Sequence, residues 1–112
     1  MKQIIAIPLN GTNLEPHFGH AKTFIFLTIE NEMIAQKDIK PAPKHEPGVL
    51  PKWIAENGAT DVIVGGMGQQ AVNILKSNGV NVHLGAAALP YEEIVKQFVS
   101  NTLETSENSC TH

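Results

Sequence analysis

One hundred and twelve residues, 42 % of them hydrophobic, suffice for one domain around one core and are ordinary for a globular protein. Eight basic side chains against eleven acids give a formal net charge of −3, which excludes the basic footprint a nucleic-acid reader needs to displace counterions. No apolar run approaches the roughly 18 residues of a bilayer span, and a single cysteine forms no internal disulfide, so the composition suits a reducing cytoplasm.

The chain opens with a short apolar run rich in β-branched residues at 4–9. It superficially resembles a signal peptide. It is too short for one, however, and no small-residue cleavage site follows, so it reads as a strand buried on both faces. Asn10-Gly11-Thr12-Asn13 breaks it, and a loop runs to about Ala21. Residues 24–29 read as a second strand and 33–39 as a third, more polar edge strand, joined through a tight turn at Glu30-Asn31-Glu32 into a hairpin. From residue 48 the rhythm changes to alternating helices and strands. Val49, Leu50, Trp53 and Ile54 recur at helical spacing, with Pro51 tolerated in the first turn, Gly58 as the stop and Trp53 assigned to the core. A buried strand at 61–64 leads through Gly65-Gly66-Met67-Gly68 into a helix over 69–78, with Ala71, Val72, Ile74 and Leu75 inward and Gly79 as its stop. A strand at 80–84 follows. Pro90 then opens a last helix with Glu92 and Glu93 near its positive end and Tyr91, Ile94, Val95, Phe98 and Val99 at period 3.6. Residues 1–103 form the domain, and 104–112 read as a polar, mobile tail.

Three parallel strands joined through helices, plus a hairpin, predict a three-layer α/β/α sandwich around a five-stranded mixed sheet. The first strand lies in the middle with the second antiparallel to it.

The chemistry-bearing residues concentrate in loops and in the tail. His17 and His20 stand three apart in Pro16-His17-Phe18-Gly19-His20, a spacing that brings two imidazoles to one side of a turn, as a metal pair requires. The bland alternative is one histidine bonded to backbone and the other solvated. His45 lies in the Pro/Gly-rich segment 41–48, where it either folds over the first loop as a ligand or is simply solvated. Cys110 and His112 read as a flexible clasp for a soft metal or as an incidental disordered end. The glycines of Gly65-Gly66-Met67-Gly68 let a backbone approach an anionic ligand at a helix N-terminus, with Met67 as a soft apolar contact. The same glycines also suit a tight strand-to-helix turn. The segment is neither a Walker A loop nor a dinucleotide fingerprint.

Pro16-His17-Phe18-Gly19-His20-Ala21, His45-Glu46-Pro47-Gly48-Val49-Leu50-Pro51 and Gly65-Gly66-Met67-Gly68 form an ordered set across residues 1–103. Together they resemble the dinitrogenase iron–molybdenum cofactor biosynthesis family of nitrogenase accessory and cluster-carrier proteins, in its small stand-alone form. The resemblance implies a ribonuclease-H-like fold with strand order 3-2-1-4-5. It also implies non-catalytic binding or carriage of an iron–sulfur or iron–molybdenum type cluster in metallocofactor assembly, with His17 as cluster ligand. The partners implied are the cluster and its assembly or acceptor proteins, with the chain a monomer or homodimer.

Two rivals stand beside this reading. A nuclease on such a sheet needs carboxylates on the central strand to hold Mg²⁺, and residues 4–9 carry none. A hydrolase needs a paired nucleophile and base, and Ser77, Ser100, Ser106 and Ser109 have no such motif around them, so no enzymatic activity is expected. A small anion- or ligand-binding regulatory module using the glycine turn is the other alternative. A lone transition-metal ion is the fallback ligand. The structural expectation is that imidazoles from separate bends converge on one pocket at the rim of the sheet. Because imidazole ordinarily protonates near about pH 6.5, ligation by it should weaken in more acidic solution.

Overall fold

Alternation along the first strand sets the architecture. In β1 (Lys2–Asn10), Ile5, Ile7 and Leu9 face one side of the sheet and Ala6 the other, all buried. The computed structural model describes residues 2–43 and 48–100. Beyond β1, these form β2 (Asn13–Leu14), a 3₁₀ turn (Phe18–His20), β3 (Thr23–Glu30), β4 (Met33–Pro41), α1 (Val49–Glu56), β5 (Asp61–Ile63), α2 (Gln69–Ser77), β6 (Asn81–His83) and α3 (Tyr91–Val99).

The sheet order is β4-β3-β1-β5-β6. β3 runs antiparallel to both β1 and β4, whereas β5 and β6 run parallel to β1. The five expected strands are therefore present in the expected order. The structure adds β2, a two-residue strand inside the expected loop, which pairs Leu14 with Leu9 at the end of β1. The hairpin turn expected at 30–32 falls on Asn31 and Glu32, with φ of 52° and 63°. Positive φ at both central residues is the backbone twist that lets a two-residue loop join twisted strands.

Helices cover both faces, for a reason visible in the side chains. On one face Phe24, Phe26, Val62 and Val82 pack with Leu50 and Ile54 of α1 and with Val72 and Leu75 of α2. On the other, Ile5, Ile7, Ile25, Leu27 and Ile63 pack with Ile94 and Val95 of α3. Trp53 joins the first cluster from its margin, edge-on to Phe24 and Phe26 with ring centres 5.7 and 5.5 Å away. Ala71 and Ile74, expected inward, are only partly buried at the flank of α2. β4 is the edge strand its polarity predicts, and it leaves Ile39 and Met33 exposed. No helix among the described residues is long and apolar enough to cross a membrane.

β1, β4, β5 and β6 all point the same way, so their C-terminal ends share one rim of the sheet. β1 and β5 are neighbours there, but the chain leaves them in opposite directions, toward β3 and toward β6. In open α/β sheets the crevice at such a switch point is where ligands bind. Pro8 accentuates it. The β1–β5 ladder has ended at Ala6, and the Pro8 carbonyl instead accepts the N–H of Glu15 at 2.8 Å, turning the following loop over the rim.

Candidate functional site at the rim of the sheet

The loop after β1 is built around one buried ring. Phe18 is 6 % exposed and meets Phe24 edge-on at 5.7 Å, which pins the middle of Pro16-His17-Phe18-Gly19-His20 to the core. With Phe18 pointing inward, the 3₁₀ turn leaves its two neighbouring histidines outward. His20 N–H donates to the His17 carbonyl at 2.9 Å, and both imidazoles are exposed. Their ring centres stand 5.1 Å apart with planes tilted by 53°. Glu15 steadies the entry, its Oε2 accepting the His17 backbone N–H at 3.1 Å.

The glycine turn after β5 holds this loop from beneath. His17 and Gly66 form a parallel bridge, and Phe18 N–H donates to the Gly66 carbonyl at 3.2 Å. Gly65 makes the approach possible. A Cβ there would lie 2.9 Å from the Pro16 carbonyl oxygen and 3.3 Å from that of Ala86, both backbone atoms. Gly66 and Gly68 have more room, with the nearest atom to a Cβ at Gly66 3.6 Å away and none within 4 Å at Gly68. Met67 packs, partly buried, against the α1/α2 core. Two motifs remote in sequence thus meet backbone to backbone, and at Gly65 the small residue admits the histidine loop itself.

Two open grooves adjoin the turn. One, of about 440 Å³, is lined by Gly19, His20, Lys22, Ala42, Pro43 and Leu50. The other, of about 220 Å³, lies among Phe18, Gly48, Leu50, Pro51, Ala71 and Ile74. The segment after β4 starts from the same rim, where Ala42 N–H donates to the Lys22 carbonyl at 2.8 Å. His45 itself, with residues 44–47, lies outside the described residues, as do Cys110 and His112. The structure thus brings His17, His20, Gly65 and Gly66 together. The expected convergence of imidazoles from separate bends turns on His45 and His112 and so falls outside the described residues, while the two described imidazoles come from a single turn. Among the described residues no group of three or more His, Cys, Asp or Glu comes together that could hold a metal ion, and the rings of His17 and His20 stand next to one another as a pair.

Sequence reasoning did not single out a polar cluster beneath α3. Asp61, 3 % exposed, accepts hydrogen bonds from the Thr60 hydroxyl at 2.7 Å and Asn81 Nδ2 at 3.4 Å, and its Oδ2 lies 3.0 Å from His83 Nε2. Burial pushes the Asp61 carboxyl upward, but the hydrogen bonds from His83 and Thr60, the His83 charge and Asn81 outweigh it and hold the group below the usual carboxylate range. Phe98 of α3 closes over the His83 ring at 5.3 Å. An acid in an otherwise apolar strand was the available signal. The cluster ties β5 to β6 and lies away from the histidine turn.

Comparison with known proteins agrees with the fold. An uncharacterized protein of Methanocaldococcus jannaschii is 32 % identical over 108 residues, 92 % of this chain and 91 % of its own length. The crystal structure of PH0822 matches with a TM-score of 0.84 at 29 % identity, covering 95 % of each chain. The apo form of the orange protein from Desulfovibrio gigas shares the fold, with a TM-score of 0.75 at 21 % identity over 93 % of this chain and 92 % of its own. The family model described as dinitrogenase iron-molybdenum cofactor matches residues 1–101, nearly the whole of the chain, which therefore belongs to that family.

Proposed function

We propose that this protein binds and carries an iron–sulfur or iron–molybdenum type cluster, without catalysing a reaction, as an accessory in metallocofactor assembly. The observation that carries the reading is the exposed His17–His20 pair, with ring centres 5.1 Å apart, seated on Gly66 at the switch point of the sheet. Imidazole nitrogen suits iron and other borderline metals. Lys22 lines the same groove as His20 and complements the negative charge that sulfide ligands give a cluster. Membership of the dinitrogenase iron-molybdenum cofactor family supports the choice of cargo. Sheet order and helices on both faces support a ribonuclease-H-like classification. His45, Cys110 and His112 complete the proposed donor set, and a cluster-assembly or acceptor protein is the proposed partner. An oxygen-sensitive cargo also fits a reducing cytoplasm.

The reading is tested by elemental analysis of the protein purified without oxygen. Iron or molybdenum together with acid-labile sulfide in near-stoichiometric amount is the expected result. Preparations that carry neither metal nor sulfide, yet bind phosphate or another small anion at the glycine turn, would establish the regulatory-module alternative instead.

A further inference from the structure

The geometry points to His17 and His20 acting as a chelate, with both imidazoles on a single metal atom. The inference rests on the cargo-binding reading of this turn and adds the coordination mode. A metal–nitrogen bond of ~2.1 Å puts an ion roughly 3.3 Å from the centre of each ring it binds through one nitrogen. Two ring centres 5.1 Å apart then subtend about 100° at a shared ion, between the octahedral and tetrahedral angles.

The turn is also suited to hold that geometry before any metal arrives. Phe18, between the two histidines, is buried, His20 N–H is bonded to the His17 carbonyl, and the His17 backbone is fixed on both sides by Glu15 and Gly66. Little backbone freedom remains to be lost on binding, which favours affinity. The second imidazole then binds intramolecularly, at a high effective concentration. Two nitrogens fill only half of a tetrahedral shell. The remaining positions face solvent and the groove lined by His20 and Lys22, where sulfide, an additional side chain or an acceptor's ligand can enter. A metal held by two protein ligands with open positions can be passed on by ligand exchange, a property a carrier needs and a closed four-ligand structural site lacks.

Cobalt(II) alone, titrated into the full-length protein and followed by its visible d–d absorption, tests the chelate. His17→Ala, His20→Ala and the double variant are compared with the parent. Circular dichroism confirms that these exposed substitutions leave the fold intact. For a chelate, each single substitution weakens binding by roughly 10²-fold, because the remaining ring binds alone, and the double variant loses that residual binding as well. Copper(II) in the parent protein gives an electron paramagnetic resonance spectrum with hyperfine splitting from two nitrogens in the chelate and from one in each single variant. Single substitutions that leave cobalt affinity unchanged, or that merely halve the cobalt bound, or a parent spectrum with one coupled nitrogen, would each overturn the proposal. Failure to take up iron and sulfide alongside an intact cobalt chelate would refute the cluster reading and leave the chelate standing.

Discussion

Gly65 shows how one missing atom can position a site. The Pro16 carbonyl oxygen occupies the space a β-carbon would need, at 2.9 Å, and neither it nor the Ala86 carbonyl is a side chain that can swing away. Gly65→Ala should therefore lift the histidine turn off its support, costing about 1–3 kcal/mol of stability as other overpacked sites do. Metal affinity should weaken with it. Denaturant unfolding and cobalt titration of that variant measure the two effects, and a variant matching the parent in both would show that the loops do not depend on one another. Gly68→Ala, with open space around its site, is the matched control and should lose far less. Asp61 carries a second prediction at this scale. Its folded-state pKa is depressed, so the carboxylate contributes stability that is present above the unfolded pKa and is lost as pH falls through the folded value. The window lies below about pH 4. Asp61→Asn should cost on the order of 1–3 kcal/mol at neutral pH, since an amide nitrogen would face donors. It should also flatten the stability curve on the acid side. Unfolding followed from pH 7 to pH 2 compares the two slopes, and an equally steep acid limb in the variant would assign that limb to other carboxylates.

The elements divide by how locally they are encoded. β1 and β3 were legible because apolar runs rich in β-branched residues bury both faces, and α1 to α3 because period 3.6 marks their faces, with Gly58 and Gly79 marking the ends of α1 and α2 and Pro90 the start of α3. β2 was not legible. Two residues carry no periodicity, and their pairing depends on where the loop is turned by the Pro8 carbonyl. The hairpin tip was placed correctly, but Glu32 is an uncommon residue for its positive φ. Glu32→Gly should relieve that conformation and raise stability by about 0.5 kcal/mol or slightly more, after the extra backbone entropy of glycine is set against it. Thermal unfolding checks the sign, and a lower midpoint would mean that the turn tolerates Glu32 without strain. In the core, Leu75 of α2 is fully buried, and Leu75→Ala should cost about 2–5 kcal/mol by deleting packing beneath the helix that follows the glycine turn.

At the scale of the molecule, topology turns loops that are distant in sequence into one site. The histidine turn follows β1, the glycine turn follows β5, and only their adjacency in a parallel pair at the switch point lets His17 bridge Gly66. Residue types and spacing revealed that both motifs were chemically suited to a ligand. They did not reveal that the two meet backbone to backbone, nor that Asp61 and His83 would lie on one face of adjacent strands, because strand register is not written in either segment alone. The central claim is that this rim binds a metal cluster through His17. It is tested most directly by anaerobic reconstitution of the parent protein and His17→Ala with iron and sulfide, read by charge-transfer absorption in the visible range and by bound iron after desalting. The parent is predicted to retain iron and sulfide with a defined absorption band, and the variant to lose most of both. Equal retention by the two proteins would contradict the assignment.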